Sequence, residues 1–97
     1  KIHPYIIDAC DVLNNPKKIL SLLCKKLDIP FYQAMLTWGL GHHKTDGIWG
    51  EYWYDRVVTT TRFQTYIKND ALLPSKYNGI YKECMDHYSE LYQYRIG

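Results

Sequence analysis

Only one short run in the 97 residues has the composition of a β-strand, and that scarcity constrains what the chain can fold into more than any other feature. Pro4-Tyr-Ile-Ile7 is β-branched and aromatic and is bounded by Pro and Asp. A lone strand leaves its backbone donors and acceptors unpaired. A strand here therefore needs a partner from outside the rest of the sequence, either a sheet contributed by a portion N-terminal to these residues or the same strand of a second copy. Everything else reads as helix and loop. The expected fold class is mainly α, with three to four helices and one short N-terminal strand in a single domain spanning residues 1–97.

The best-specified helix lies between two prolines. Asn15 can cap it, and Pro16 takes the first helical position, where its missing N–H costs nothing. From Pro16 to Leu27, the residues Ile19, Leu20, Leu23, Cys24 and Leu27 recur at three- and four-residue spacings and form one apolar face. Lys25 and Lys26 suit its negative end. Asp28-Ile-Pro30 stops it, because a proline disfavours helix at the residue before it. A short second helix is predicted from Tyr32 to Trp38, followed by the glycine-punctuated loop Gly39 to Gly47. The cluster Trp49, Tyr52, Trp53 and Tyr54 is predicted to open a helix reaching Thr60, weakened at its far end by Val57, Val58 and the run Thr59-Thr-Thr61. Residues 64–73 form an irregular connection. After Pro74, the residues Tyr77, Ile80, Tyr81, Cys84, Tyr88, Leu91 and Arg95 recur at helical spacing. That long helix is expected to pack on the Pro16 to Leu27 helix through Ile80, Tyr81, Cys84 and Tyr88.

Composition removes several function classes. Twelve Lys and Arg against ten Asp and Glu give no field that calls for a nucleic-acid partner. Cys10, Cys24 and Cys84 are odd in number and have no close Cys pairing, so neither a disulfide framework nor a zinc ribbon is indicated and a reducing, cytoplasmic compartment fits. No apolar run approaches the roughly 20 residues of a membrane span. The chain opens at Lys1 rather than Met, which indicates processing, tag removal or truncation. Aromatic residues are in excess, with ten Tyr, three Trp and two Phe, and rings with polar handles suit interfaces or a core that touches water.

Two segments carry a resemblance. Asp8, Asp11, Leu13, Asn15 and Pro16 open the first helix, Leu23, Cys24, Leu27, Ile29, Pro30 and Phe31 close it, and Met35, Leu36 and Trp38 follow. Asp46-Gly-Ile-Trp49 then leads to Trp53-Tyr54. This arrangement is similar to the C-terminal region of bacterial sulfotransferase-family proteins. The resemblance implies a doubly wound α/β P-loop fold for complete members and transfer of a sulfuryl group from 3′-phosphoadenylyl sulfate (PAPS) to a hydroxyl or amine. It implies that the loop around Lys44, Gly47 and Trp49 closes over the donor's 3′-phosphate, although the family's order of Lys, Gly and Trp is not reproduced. It also implies that Trp53 and Tyr54 lie on the acceptor side. The phosphate-binding loop of that family, which would precede Asp8, has no counterpart here: there is no Gly-x-x-x-x-Gly-Lys-Ser/Thr. The isolated chain is therefore expected not to hold the donor's 5′-phosphosulfate and not to catalyse by itself.

The residues taken one by one leave alternatives open. His42-His43-Lys44 with Asp46 form either an anion-binding loop or a solvated one. No metal is expected there, since adjacent loop histidines do not converge on one ion without a third ligand. Trp49, Tyr52, Trp53 and Tyr54 either stack on a ligand or plug the loop onto the helices. Asp8 and Asp11 sit at the end of the strand, where ligands lie in open sheets, or satisfy backbone donors in the turn. Cys24 and Cys84 lie on apolar faces and read as buried small hydrophobes. No catalytic triad or paired carboxylates stand out. Two classes follow: a C-terminal module of a sulfotransferase-like protein, whose partner is a P-loop portion, or a small non-catalytic helical domain that self-associates as a homodimer through the strand or the Trp49 to Tyr54 cluster.

Overall fold

A computed structural model describes residues 4–69 and 71–97; Lys1 lies outside them, as does one position, 70, of the predicted irregular connection. Two consecutive helices open the chain, α1 (Ala9–Asn14) and α2 (Pro16–Leu27). Pro16 separates them: it forces Asn15 out of the helical region, to φ −149° and ψ 71°. The Asn15 side-chain oxygen then accepts the Lys18 N–H at 3.3 Å, the cap that the sequence indicates. Helix α1 itself was not foreseen, since Asp8 and Asp11 read as turn residues.

Helix α2 ends as predicted and in a specific way. Ile29 N–H donates to the Cys24 carbonyl at 3.0 Å and Asp28 N–H to the Lys25 carbonyl at 3.2 Å, the paired bonds of a Schellman motif. The motif requires a left-handed residue, and Asp28 adopts φ 56° without being glycine. On the inner face, Ile19 is 2% exposed and Cys24 6%, and these two are the buried hydrophobic residues among those described. Cys24 Sγ lies 4.0 Å from Met35 Sδ. Leu23 is half-buried.

Pro4 to Ile7 does not form a strand, which corrects the expectation. The segment is extended but has no partner ladder; one bond reaches it, from Ile96 N–H to the Ile6 carbonyl at 2.8 Å. A single bond does not repeat into pairing because the C-terminal tail, not a strand, lies alongside. Among the described residues the β-type pairing is one antiparallel bridge, Thr37 with Arg62. That bridge also explains the second correction. The helix predicted from Tyr32 to Trp38 is only the 3₁₀ turn Gln33–Leu36, because Thr37 is extended and Trp38 N–H donates to the Thr61 carbonyl at 2.8 Å.

The aromatic cluster opens helix α3 (Gly50–Trp53), far shorter than the helix predicted to reach Thr60. A separate 3₁₀ turn, Val57–Thr59, follows. The threonine hydroxyls supply the reason: Thr59 Oγ1 donates to the Arg56 carbonyl at 2.8 Å and Thr60 Oγ1 to the Val57 carbonyl at 2.9 Å, so side chains take acceptors that a continuing helix would use.

The C-terminal helix α4 (Asn78–Tyr92) forms where periodicity places it, but it does not pack on α2 as expected. Ile80 is 65% exposed, Tyr81 54% and Tyr88 47%, and Cys84 is exposed as well, so its reading as a buried hydrophobe is also corrected. Periodicity identifies an apolar face without saying what covers it. What meets α1 and α2 instead is the tail beyond α4. Arg95 Nε donates to Asp11 Oδ2 at 2.8 Å, and a Cβ on Gly97 would sit 3.2 Å from Ile19 Cδ1.

The result is an open structure. Its radius of gyration is 16.5 Å, whereas a compact domain of this length has about 12.5 Å. Its accessible surface is 8660 Å² against about 5,800 Å² for a compact monomer of this mass. Mainly helical, with four α-helices among the described residues, the chain leaves much of its apolar surface uncovered.

Candidate functional site

The loop singled out in the sequence is organised by its own polar groups. His43 N–H donates to Asp46 Oδ2 at 2.9 Å and Asp46 N–H donates back to the His43 carbonyl at 3.0 Å, which closes the 3₁₀ turn Lys44–Asp46. His43 Nε2 lies 2.6 Å from the Gly39 carbonyl, so the ring carries its proton on Nε2 and donates it there. His43 is thereby occupied in holding the loop. Gly47 follows at φ 79° and ψ 177°, a region open to glycine alone at no strain. Gly50 is buried, and a Cβ on it would lie 2.8 Å from Asp46 Cβ and 3.2 Å from Tyr54 Cδ2. Two glycines therefore let the loop turn sharply and α3 press against it. Gly50 was not singled out in the sequence; its place between Asp46 and Tyr54 is legible only once the turn is known.

Lys44, Gly47 and Trp49 thus share one tight loop, and α3 follows directly with Trp53 and Tyr54. Trp49 and Trp53 pair at 5.6 Å between ring centroids, tilted by 36°. These rings do not plug the loop onto the helices, one of the two readings open from sequence, because Trp49 is 61% exposed and Trp53 76%. Tyr54 is more sheltered, beside Gly50. Lys44 is exposed and belongs to no ion pair among the described residues. The loop consequently offers a free ammonium and a pair of open aromatic faces, with its carboxylate already engaged by backbone.

Asp8 and Asp11 belong to a different arrangement. Tyr88 Oη donates to Asp8 Oδ1 at 2.7 Å, and Arg95 holds Asp11 while its guanidinium lies 3.7 Å over the Tyr92 ring. Together these contacts clasp the C-terminal portion to α1. The hydrogen bond to Asp8 pushes the Tyr88 hydroxyl up to about 12, aided by partial burial and by the negative charge of Asp8. The bond to Asp11 likewise raises Arg95, against the opposing effect of burial. One oxygen of each aspartate is thus engaged by a C-terminal side chain, and no backbone N–H of the turn donates to either carboxylate among the described residues. Among the described residues no cluster of His, Cys, Asp and Glu could hold a metal ion, and no helix is long and apolar enough to cross a membrane.

A cavity that the sequence did not announce opens beside Trp38, with a volume of about 490 Å³. Trp38 and Phe63 meet edge to face at 5.3 Å and 86°, and the Trp38 Nε1–H is buried without an acceptor among the described residues. The β-branched stretch Val57 to Thr61, read as a weak helix end, is the one signal that the chain here bends back against Trp38.

Comparison with known proteins places the chain in a family. A family described as "Sulfotransferase domain" matches residues 1–92. Two Arabidopsis thaliana proteins, "Branched-chain-amino-acid aminotransferase-like protein 2" and "Branched-chain-amino-acid aminotransferase-like protein 1", are 33% and 32% identical over 88 residues, 91% of this chain. The matched stretch is 16% of each of those proteins, so the chain spans about a sixth of their length. No solved structure matches. With nearly its whole length covered by that one match, the chain belongs to the sulfotransferase-domain family.

Proposed function

We propose that the chain acts as the C-terminal module of a sulfotransferase-like protein, supplying acceptor-side and loop-closing residues without being catalytic alone. The observation that carries this reading is the uncovered surface. An accessible area of 8660 Å² exceeds that of a compact monomer by about 2,900 Å², at least the share that one partner gives to a permanent interface of roughly 2,000–5,000 Å² in total. A module built to pack against a P-loop portion would have such an excess, with the exposed stripe of α4 as part of the contact.

In this reading Lys44, with Gly47 and Trp49 beside it, meets the 3′-phosphate of PAPS, and Trp53 and Tyr54 face the acceptor. The residues fit that role: the Lys44 ammonium is exposed, and Asp46, the nearby carboxylate, is held by the His43 N–H rather than by lysine. The Trp49 and Trp53 faces suit a stacked base or ring. PAPS supplies the sulfuryl group, and the cradle for its 5′-phosphosulfate comes from the P-loop portion. Catalysis by positioning needs both parts. A reducing cytoplasm fits three unpaired cysteines.

Transfer from labelled PAPS tests this. The purified chain should form no sulfated product above blank; product formation would refute the claim that it is inactive alone. Joined behind the P-loop portion of a sulfotransferase-domain relative, it should support turnover with a PAPS KM that rises about tenfold in Lys44→Ala, as loss of one charge-assisted phosphate contact implies. A KM that ignores Lys44 would remove the loop from the donor site. One observation favours a second reading, a self-associating helical domain: the exposed apolar residues of α4, Ile80, Tyr81, Tyr88 and Leu91, could equally meet a second copy.

A further inference from the structure

We infer that the cavity beside Trp38 binds small aromatic monoanions, with the ring against Trp38 and Phe63 and the acid group met by Arg56 and Arg62. This site stands apart from the donor loop, since no residue from 44 to 54 lines it. Its volume of about 490 Å³ falls in the range of small-molecule sites, roughly 300–1,000 Å³.

The walls are held by backbone. Trp38 N–H donates to the Thr61 carbonyl at 2.8 Å and Gly41 N–H to the Val58 carbonyl at 2.9 Å, so residues 37–41 and 58–62 are fastened face to face. Tyr66 N–H donates to Asn14 Oδ1 at 3.2 Å, which ties the outer wall to α1 and brings Leu13 into the lining. The edge-to-face pair of Trp38 and Phe63 forms an aromatic surface of the kind on which a third ring packs well.

Charge decides the class of ligand. Arg56 and Arg62 both line the cavity, both are exposed, and neither joins an ion pair among the described residues. Among the described residues no Asp or Glu lines it. Two arginines in a largely apolar lining, with no counter-charge among the described residues, favour an anion and disfavour a cation. Guanidinium groups also match the planar geometry of a carboxylate or sulfonate. An apolar ring bearing one such group satisfies both halves of the site.

The test is a titration of the whole chain with 2-naphthoate, followed by the three tryptophan indole N–H resonances. Trp38, Trp49 and Trp53 give one signal each, assigned by Trp38→Phe, Trp49→Phe and Trp53→Phe. The Trp38 signal should shift saturably while the other two stay in place. Arg56→Gln and Arg62→Gln should each raise the half-saturating concentration about fivefold, the effect of one exposed ion pair. The neutral 2-naphthamide should bind more weakly to the parent chain and be indifferent to both substitutions. Because both arginines are exposed, the remaining resonances of each variant should be unchanged, which verifies that it folds. A shift shared equally by all three indoles, a shift at Trp49 and Trp53 alone, no shift at all, or 2-naphthamide binding as tightly as 2-naphthoate would each overturn the assignment.

Discussion

Replacing Ile19 with alanine tests whether the contact between α2 and the C-terminal tail is the centre of the fold. Ile19 is 2% exposed and lies where Gly97 comes closest to α2. Truncation of a buried isoleucine costs about 2–5 kcal/mol, the transfer of the lost carbons plus the cavity they leave. The tail on one side of this site is a chain end, tied down by the Ile96 to Ile6 hydrogen bond and the Arg95 to Asp11 pair, so it can relax toward the gap. The cost should therefore fall in the lower part of the range, about 2–3 kcal/mol. That is a large share of the roughly 5–15 kcal/mol a domain possesses. Leu23, on the same helix but only half-buried, provides the comparison: Leu23→Ala should cost about 1–2 kcal/mol. Urea unfolding at fixed protein concentration, followed by circular dichroism, gives both values if the m-value stays constant. A cost for Ile19→Ala equal to or below that of Leu23→Ala would refute the placement of the core.

Three other outcomes follow from local geometry. Gly47→Ala should lose about 1–3 kcal/mol, because φ 79° with ψ 177° is a glycine-only conformation; an unchanged urea midpoint would show that the loop does not hold that turn. Asp28→Gly should raise stability by about 0.5 kcal/mol, since the left-handed φ of 56° suits glycine and the Asp28 side chain forms no ion pair among the described residues; a lower midpoint would indicate an unrecognised Asp28 contact. Tyr88 titrates at about 12 in the folded chain against 10.0 for a free tyrosine, so its contribution is complete below pH 10 and is lost as pH rises toward 12. Tyrosine absorbance at alkaline pH should contain one late step that Tyr88→Phe removes, and a late step persisting in that variant would dissociate Tyr88 from Asp8.

Some of this was legible in the residues and some was not, for physical reasons. Both ends of α2 were readable because the signals are local: Asn15-Pro16 at its start, and Asp28 to Pro30 at its end. Helix α4 was readable from periodicity despite Asn78-Gly79. Its exposure was not, because an apolar stripe at helical spacing is the same pattern whether the cover comes from this chain or from another. The strand at Pro4 to Ile7 failed for the same reason: composition measures fitness for pairing and does not supply a partner. The helix from Trp49 to Thr60 ended early because hydroxyls of Thr59 and Thr60 bond to carbonyls three residues back, a competition that β-branching hints at but does not locate. At the candidate site, Lys44, Gly47 and Trp49 were grouped by the resemblance to sulfotransferase-family proteins. The clasp of Asp8 and Asp11 spans 80 and 84 positions, beyond the reach of local spacing, whereas His43 and Gly50 touch residues three or four positions away and their roles become visible only once the turn is known.

The central claim is that this chain carries an interface-sized surface that another surface must cover. Sedimentation equilibrium from low micromolar to submillimolar concentration measures it directly. The apparent mass should climb above the monomer's 11.5 kDa as concentration rises, because exposed apolar area of this extent drives self-association when no other cover is present. A mass fixed at 11.5 kDa throughout, together with a scattering radius of gyration near the compact value of about 12.5 Å, would contradict it: the chain would then cover its own surface, and α4 would have to lie on α2 after all.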